Sequence, residues 1–408
     1  MKNRINDQLT LPCSAIIKNR LGKSAMSENM ATRDYKCNAE LVELYRRWSA
    51  GGAGLLITGN VMIDASALGE PSNVVMEKNK QDPFLKKWAQ AGSQHDTHIW
   101  VQLNHPGKQS PKFLSKKPVA PSAIELNAPL NRMFNRPKEL SETEIFDLIE
   151  RFGTAAKMSK EAGFTGVQIH GAHGYLISQF LSPIHNQRHD KWGGSLENRM
   201  RFPVEVYHRI RRYVGPQFPV SIKLNSADFQ RGGFTEDESI EVARTLSELG
   251  MDLIEISGGS YEAPEMMGVS KKKSTREREA YFLDYCEKIR MTVKTPLMLT
   301  GGFRTLKGME ETLESGACDM IGLGRSLAIN PEFPNQLLSG SNIQSEVVPL
   351  TTGSKMLDQL VPLEITWYTE QLHRMGKGLD PKPDLGAKTS IVHTLFSLGI
   401  KNLKRVRG

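Results

Sequence analysis

Eight short runs of apolar and β-branched residues recur along this chain, each followed by a loop rich in Gly, Asn or Ser and then a longer amphipathic stretch. The runs are "GKSAM" (22–26), "GLLITG" (54–59), "IWVQL" (99–103), "GVQIH" (166–170), "VSIKL" (220–224), "DLIEIS" (252–257), "PLMLT" (296–300) and "DMIGLG" (319–324). A run that is apolar on both faces reads as a strand covered on both sides, which is how parallel sheets are built. The stretches between them carry helix boundaries. "SETEIFDLIERFGTAAKMSKEAG" opens with Ser141 and Glu144 at capping-box spacing, while "NAELVELYRRWSAGG" and "DESIEVARTLSELG" each close on glycine. Strand and helix alternating eight times predicts an α/β fold of the (β/α)8 TIM-barrel type, although an open doubly wound sheet gives a similar string. In a barrel, the long excursions at 104–141 and 258–279 follow strands three and six. They then lie on the C-terminal face, where barrel sites are built. Near residue 340 the alternation stops, which predicts a barrel over 1–340 and a helical C-terminal extension over 341–408, packed on the barrel or trailing from it.

Composition narrows the function classes. A hydrophobic content of 39% is ample for one large core, and no window approaches the length of a membrane span. The N-terminus "MKNRINDQLTLPCS" lacks the apolar run of a secretory signal, so a soluble, cytoplasmic protein is expected. The cysteines at 13, 37, 286 and 318 never fall at Cys-x-x-Cys spacing, which argues against a zinc ribbon, an iron–sulfur cluster or a disulfide framework. The net charge is +8, yet the tail "KNLKRVRG" carries Lys401, Lys404, Arg405 and Arg407 without one acid. No aromatic and basic interleaving accompanies this excess, so a solvated surface is a better account of it than nucleic acid. The sequence leaves the oligomeric state open.

The barrel gives the stretch "QIHGAHGYLISQFLSP" an address. His170 ends strand four, and His173 and Tyr175 follow in the loop above the mouth. A two-histidine metal site needs a third ligand, and no His-Glu-x-x-His supplies it, so no metal is expected. Two neutral imidazoles instead suit donation to one carbonyl or oxyanion, with a phenol as proton source. "LTGGFRT" (299–305) and "IGLGRSL" (321–327) end strands seven and eight, where glycine loops in barrels cradle a phosphate and Arg325 adds a cation. A Gly-x-Gly-x-x-Gly is missing after every strand, and "GKS" at 22–24 lacks the upstream glycine of a P-loop because Ile17 stands there. Gln102 and Lys223 rise into the same mouth from strands three and five, and a lysine inside "VSIKLN" needs a partner such as a bound anion.

With these pieces together, the chain resembles the Old Yellow Enzyme family of FMN-dependent NADH:flavin oxidoreductases over about residues 9–340. The stretch "AGFTGVQIHGAHGYLISQFLSPIHNQRHDKWGGSLENRMRF" is similar to that family's longest signature. "VQLNHPGKQ", "SIKLNSADFQRGGF", "GGFRT" and "IGLGRSLAINPEFPNQL" stand in the family's order. The branch it most resembles is the single-domain one with two active-site histidines. The resemblance implies FMN as cofactor and NAD(P)H as hydride donor. It implies that Ser24, Ala25 and Met26 line the flavin, that Ser27 lies near O4, and that Gly59 and Gln102 contact the ring. Lys223 would face N1 and O2, and Gly302, Phe303, Gly324 and Arg325 would hold the phosphate. His170 and His173 would grip a substrate carbonyl, and Tyr175 would donate the proton to an enone, enal or quinone-type substrate. Three positions depart from the pattern: Ser27 for the more frequent Thr or Cys, Lys223 for Arg, and Trp192 for Tyr. Lysine keeps the charge beside a reduced flavin and loses the two-pronged fork. Two other readings stay open on the residues: a flavin-free barrel lyase or aldolase using Lys223 as a Schiff base, and a flavin-binding barrel without ene-reductase turnover.

Overall fold

The computed structural model describes residues 4–77, 82–263, 279–347, 350–353 and 363–392. At its centre run eight parallel strands: β1 (Leu21–Lys23), β2 (Leu55–Met62), β3 (His98–Asn104), β4 (Gly166–Gly171), β5 (Val220–Asn225), β6 (Leu253–Ser257), β7 (Leu297–Thr300) and β8 (Met320–Leu323). Each pairs with the next in sequence, and β8 returns to β1 with Ile321 opposite Leu21. The ring is closed, so the fold is a (β/α)8 barrel and not an open sheet. Around it lie α1 (Ala39–Ala50), α2 (Leu85–Gly92), α3 (Glu142–Ala162), α4 (Leu196–Val214), α5 (Glu236–Glu248), α6 (Leu283–Arg290), α7 (Leu306–Glu314) and α8 (Phe333–Leu338), with α9 (Leu363–Gly376) after them. Helix α3 starts where its capping box requires: Glu144 N–H donates to Ser141 Oγ at 3.3 Å, and Ser141 N–H donates to Glu144 Oε2 at 2.8 Å.

All eight apolar runs are strands, with shifted ends. Pairing of β1 stops at Lys23, so Ser24, Ala25 and Met26 belong to the loop above it rather than to a strand over 22–26. Strand β2 runs on to Met62 because a bulge between Ile57 and Asn60 resets its register on β3. At the bulge Thr58 Oγ1 accepts the backbone N–H of Gln102 at 2.9 Å, replacing the carbonyl that the ladder has lost.

Side chains alternate across each strand, and the interior fills in layers. Leu55, Ile57, Trp100, Leu253, Met298 and Met320 form an apolar floor, covered from below by Leu9, Leu11 and Ile17 of a hairpin pairing Leu9–Thr10 with Ile16–Ile17. Polar residues of the barrel interior therefore gather above that floor. The chain beyond residue 340 supplies α9, which packs on α1 and on the loop after β1. His373 Nε2 lies 2.9 Å from the Glu28 carbonyl, Thr369 Oγ1 donates to the Ser27 carbonyl at 3.3 Å, and Arg47 pairs with Asp380 at 2.6 Å. The basic tail from 393 onward and residues 264–278 of the post-β6 excursion lie outside the described residues. Among the described residues no helix is long and apolar enough to cross a membrane.

Candidate functional site at the barrel mouth

Directly above the apolar floor the inward positions are polar, and they bond to one another. Gln102 Nε2 donates to Gln168 Oε1 (2.7 Å), and Gln168 Nε2 donates to Glu255 Oε2 (2.9 Å). Lys223 Nζ lies 2.9 Å from Glu255 Oε1, which also accepts from Thr300 Oγ1 at 2.8 Å. Thr300 in turn meets Ser24 Oγ at 2.8 Å. Glu255 is fully buried and Lys223 nearly so, which a charge tolerates only when paired and hydrogen-bonded. The partner that "VSIKLN" demands is thus a carboxylate of the chain itself, one strand away.

The second cluster rises from β4. His170 and His173 have ring centroids 5.1 Å apart, and His170 and Tyr175 4.9 Å apart, all edge to face. His170 Nδ1 accepts the Ala172 N–H at 3.3 Å, so in the neutral ring the proton sits on Nε2. His173 holds a left-handed backbone, φ 62°, while its N–H donates to Asn225 Oδ1 (3.1 Å) and its Nε2 meets Ser257 Oγ (2.8 Å). Burial, with Lys223 nearby and His173 beside His170, holds both histidines well below the ordinary imidazole pKa. Both are neutral near pH 7; His170 keeps its Nε2–H to give, while the His173 Nε2 is already engaged by Ser257 Oγ. Burial likewise pushes the Tyr175 phenol well above its usual value.

The third cluster joins the loop after β1 to the ends of β2, β7 and β8. Ser24 N–H donates to the Leu323 carbonyl at 2.8 Å, tying the two sides of the closure together. Ala25 is half-buried against the floor, and Met26 lies 3.8 Å from where a Cβ on Gly324 would stand. Ser27 Oγ donates to Glu70 Oε1, a buried carboxylate also held by Asn73 Nδ2 at 3.2 Å. Gly59 lies in the bulge, where a Cβ would come within 2.7 Å of the Met26 carbonyl, and its N–H donates to Glu28 Oε1 at 3.0 Å. Beneath, Lys23 is fully buried between Glu28 (3.4 Å), the Ile57 carbonyl (2.8 Å) and the Trp48 ring. Gly302 has φ 90° and lies beneath Tyr281, and Phe303 is buried. Arg325, expected to face a phosphate, pairs with Glu364 of α9 at 3.1 Å.

Several neighbours of these residues escape sequence reasoning. Glu255 and Gln168 carry the same signal as Lys223, a polar residue at the inward phase of a buried run. Asn60 and Asn104 sit at the same phase, and Asn60 Oδ1 and both amide atoms of Asn104 are buried without a hydrogen-bond partner among the described residues. Tyr261, whose hydroxyl lies 2.8 Å from that of Tyr175, gives no signal, since it stands in a loop without period. The described residues contain no group of three or more His, Cys, Asp or Glu placed to hold a metal ion.

Comparison with known proteins gives this mouth a context. The sequence profile of the NADH:flavin oxidoreductase / NADH oxidase family matches residues 13–344. The NADH-dependent flavin oxidoreductase iliE of Hypocrea jecorina is 35% identical over 387 residues, covering 89% of this chain and 94% of that protein. The NADH oxidase of Thermoanaerobacter brockii is 32% identical across 80% of this chain but only 49% of its own length. Among solved structures, an old yellow enzyme homologue from Zymomonas mobilis superposes with a TM-score of 0.72 at 26% identity, covering 85% of this chain and 95% of that one. A 2-naphthoyl-CoA reductase in complex with 2-naphthoyl-CoA gives a TM-score of 0.77 at 26% identity, over 84% of this chain and 53% of that one. A profile spanning most of the sequence, a relative matched along nearly the whole of both proteins and a closed barrel of the same shape make this chain a member of the NADH:flavin oxidoreductase / NADH oxidase family, the Old Yellow Enzyme family of FMN- and NAD(P)H-dependent oxidoreductases.

Proposed function

We propose that the protein is an ene-reductase, reducing a carbon–carbon double bond conjugated to a carbonyl. The observation that carries this reading is the convergence of two neutral imidazoles and a buried phenol at the end of β4. When bound, FMN supplies hydride transfer from a nicotinamide to the β-carbon of such an alkene. The residues present fit that cofactor: Asn60 Oδ1 and both amide atoms of Asn104 are buried without a partner among the described residues, on the strands that carry Gly59 and Gln102, and a Cβ on Gly324 would meet nothing nearer than Met26 at 3.8 Å, which leaves space beside the β8 loop. Ser24, Ala25, Met26, Ser27, Gly59, Gln102 and Lys223 would hold the ring, and Gly302, Phe303, Gly324 and Arg325 the phosphate. His170 offers Nε2–H to the substrate carbonyl, and His173, packed edge to face on His170 with its Nε2 shared with Ser257 Oγ, would lie beside it. Neutral donors suit a carbonyl that gains negative charge only as the reaction proceeds. Tyr175, two residues past His173, gives its proton to the α-carbon. Schiff-base chemistry would need a free amine, whereas Lys223 is ion-paired with Glu255.

Anaerobic stopped-flow of the FMN-loaded protein tests the reading. NADH or NADPH should bleach the flavin, and 2-cyclohexenone should restore its absorbance. Tyr175→Phe should slow only the second step, by about 10²- to 10⁴-fold, the range for a positioned general acid. Reoxidation by oxygen or quinone alone, with no enone or enal accepted, would sink the ene-reductase assignment.

A further inference from the structure

Resting on that reading, we infer that Tyr261 is a positioning residue for the proton step: it donates its hydrogen bond to Tyr175, aims the Tyr175 proton into the mouth, and replaces that proton after each turnover. The two hydroxyl oxygens are 2.8 Å apart and the ring centroids 5.9 Å apart at 71°. A pair of phenols at this distance shares one hydrogen bond, so one is donor and the other acceptor. If Tyr175 were the donor, its proton would be committed to Tyr261; with Tyr261 as donor, the Tyr175 proton is left for a substrate. Exposure runs the same way, since Tyr175 is 5% exposed and Tyr261 half-buried, closer to solvent. Burial raises both phenols above their usual value, Tyr261 to about 12, so each stays protonated at neutral pH.

The loop after β6 is fastened tightly enough to hold such a contact. Asn225 Nδ2 donates to the Gly259 carbonyl (2.9 Å), and Gln230 Nε2 donates to Ser260 Oγ (3.0 Å). Glu262 accepts the Asn127 N–H at 2.8 Å and lies 3.5 Å from His185 Nε2, whose Nδ1 meets Lys108 Nζ at 3.0 Å. Tyr261 is thereby anchored on one side to β5 and on the other to the excursion after β3. The proton balance closes with the one solvent proton that the reduction consumes alongside the hydride. Tyr175 O–H breaks as the α-carbon–hydrogen bond forms, Tyr261 O–H breaks as Tyr175 O–H re-forms, and that solvent proton re-forms Tyr261 O–H.

The test compares Tyr261→Phe, Tyr175→Phe and the double variant in both half-reactions, with 2-cyclohexenone and with a quinone that needs no proton on carbon. Tyr261→Phe should slow enone reduction by about 10- to 100-fold, the worth of one hydrogen bond to a developing charge, with KM for the enone unchanged. Flavin reduction by the nicotinamide and quinone reduction should stay at wild-type rates. Because Tyr261 acts only through Tyr175, the double variant should be no slower than Tyr175→Phe. A Tyr261→Phe variant at the wild-type enone rate, a double variant whose defects multiply, or a loss shared with the quinone would overturn the assignment. Failure of the broader reading looks different: wild-type protein would leave the enone untouched, or Tyr175→Phe would reduce it normally, and the relay would fall with it.

Discussion

At Lys223 the ammonium meets Glu255 at 2.9 Å, with both side chains almost wholly out of water. Removing either partner strands the other charge, whereas removing both leaves a neutral hole. Lys223→Met should therefore lose about 3–5 kcal/mol of stability, and Lys223→Met with Glu255→Gln should recover most of it. Urea unfolding of the flavin-free variants measures both, and a double variant as unstable as the single would show that the pair is not the source. The pair also alters what Lys223 offers a cofactor. On the proposed placement of the flavin, a lysine neutralised by Glu255 would present the dipole of a pair, softer than a lone cation, to the N1 and O2 edge.

The β2 bulge is the element on which the loop after β1 depends. It gives β2 an extra residue, brings Gly59 under the Met26 carbonyl and delivers Asn60 opposite Gln102. Thr58 sustains it by accepting the Gln102 N–H. Thr58→Val keeps the shape and removes that acceptor, so a buried N–H loses its partner. The expected loss is about 1–3 kcal/mol, with weaker FMN retention, read by thermal melting and by quenching of free-flavin fluorescence on binding. Melting and retention at wild-type values would mean that water or a register change replaces the hydroxyl. The elements themselves were legible in the sequence because buried parallel strands must be apolar on both faces. Inward polar positions such as Lys223 and Gln102 then stood out, and Glu255 in "DLIEIS" stands out in the same way. The bulge was not legible, because "LLITGNVM" alternates no differently with or without an extra residue. Nor was the Arg325–Glu364 pair, which joins a glycine loop to a helix that sequence places beyond the barrel.

On the scale of the whole molecule, burial of neutral histidines ties stability to pH. His170 and His173 are held well below the usual imidazole value, His105 falls to about 4 and His185 to about 3, each chiefly through burial. In the unfolded chain each titrates near 6.5, so below that pH the unfolded state takes up protons that the folded state refuses. This part of the stability is present above pH 6.5 and is lost as pH falls, by about 1.4 kcal/mol per pH unit for each histidine. Denaturant unfolding of flavin-free protein at pH 7.5, 6 and 5 should show stability falling steeply with acid. A flat profile would mean that these rings protonate within the fold.

The ring closure also sets an order of assembly. Ser24 and its neighbours are made first, but the carbonyl that receives the Ser24 N–H belongs to Leu323, and the helix that grips Ser27 and Glu28 comes later still. During synthesis, the first residues of the mouth wait for nearly the entire chain before they have a shape to hold. No early fragment has a finished mouth, and a polypeptide that stops before β8 lacks half the contacts around Ser24. Flavin capture is then a late event, and the yellow colour of a preparation counts the chains that were completed and closed.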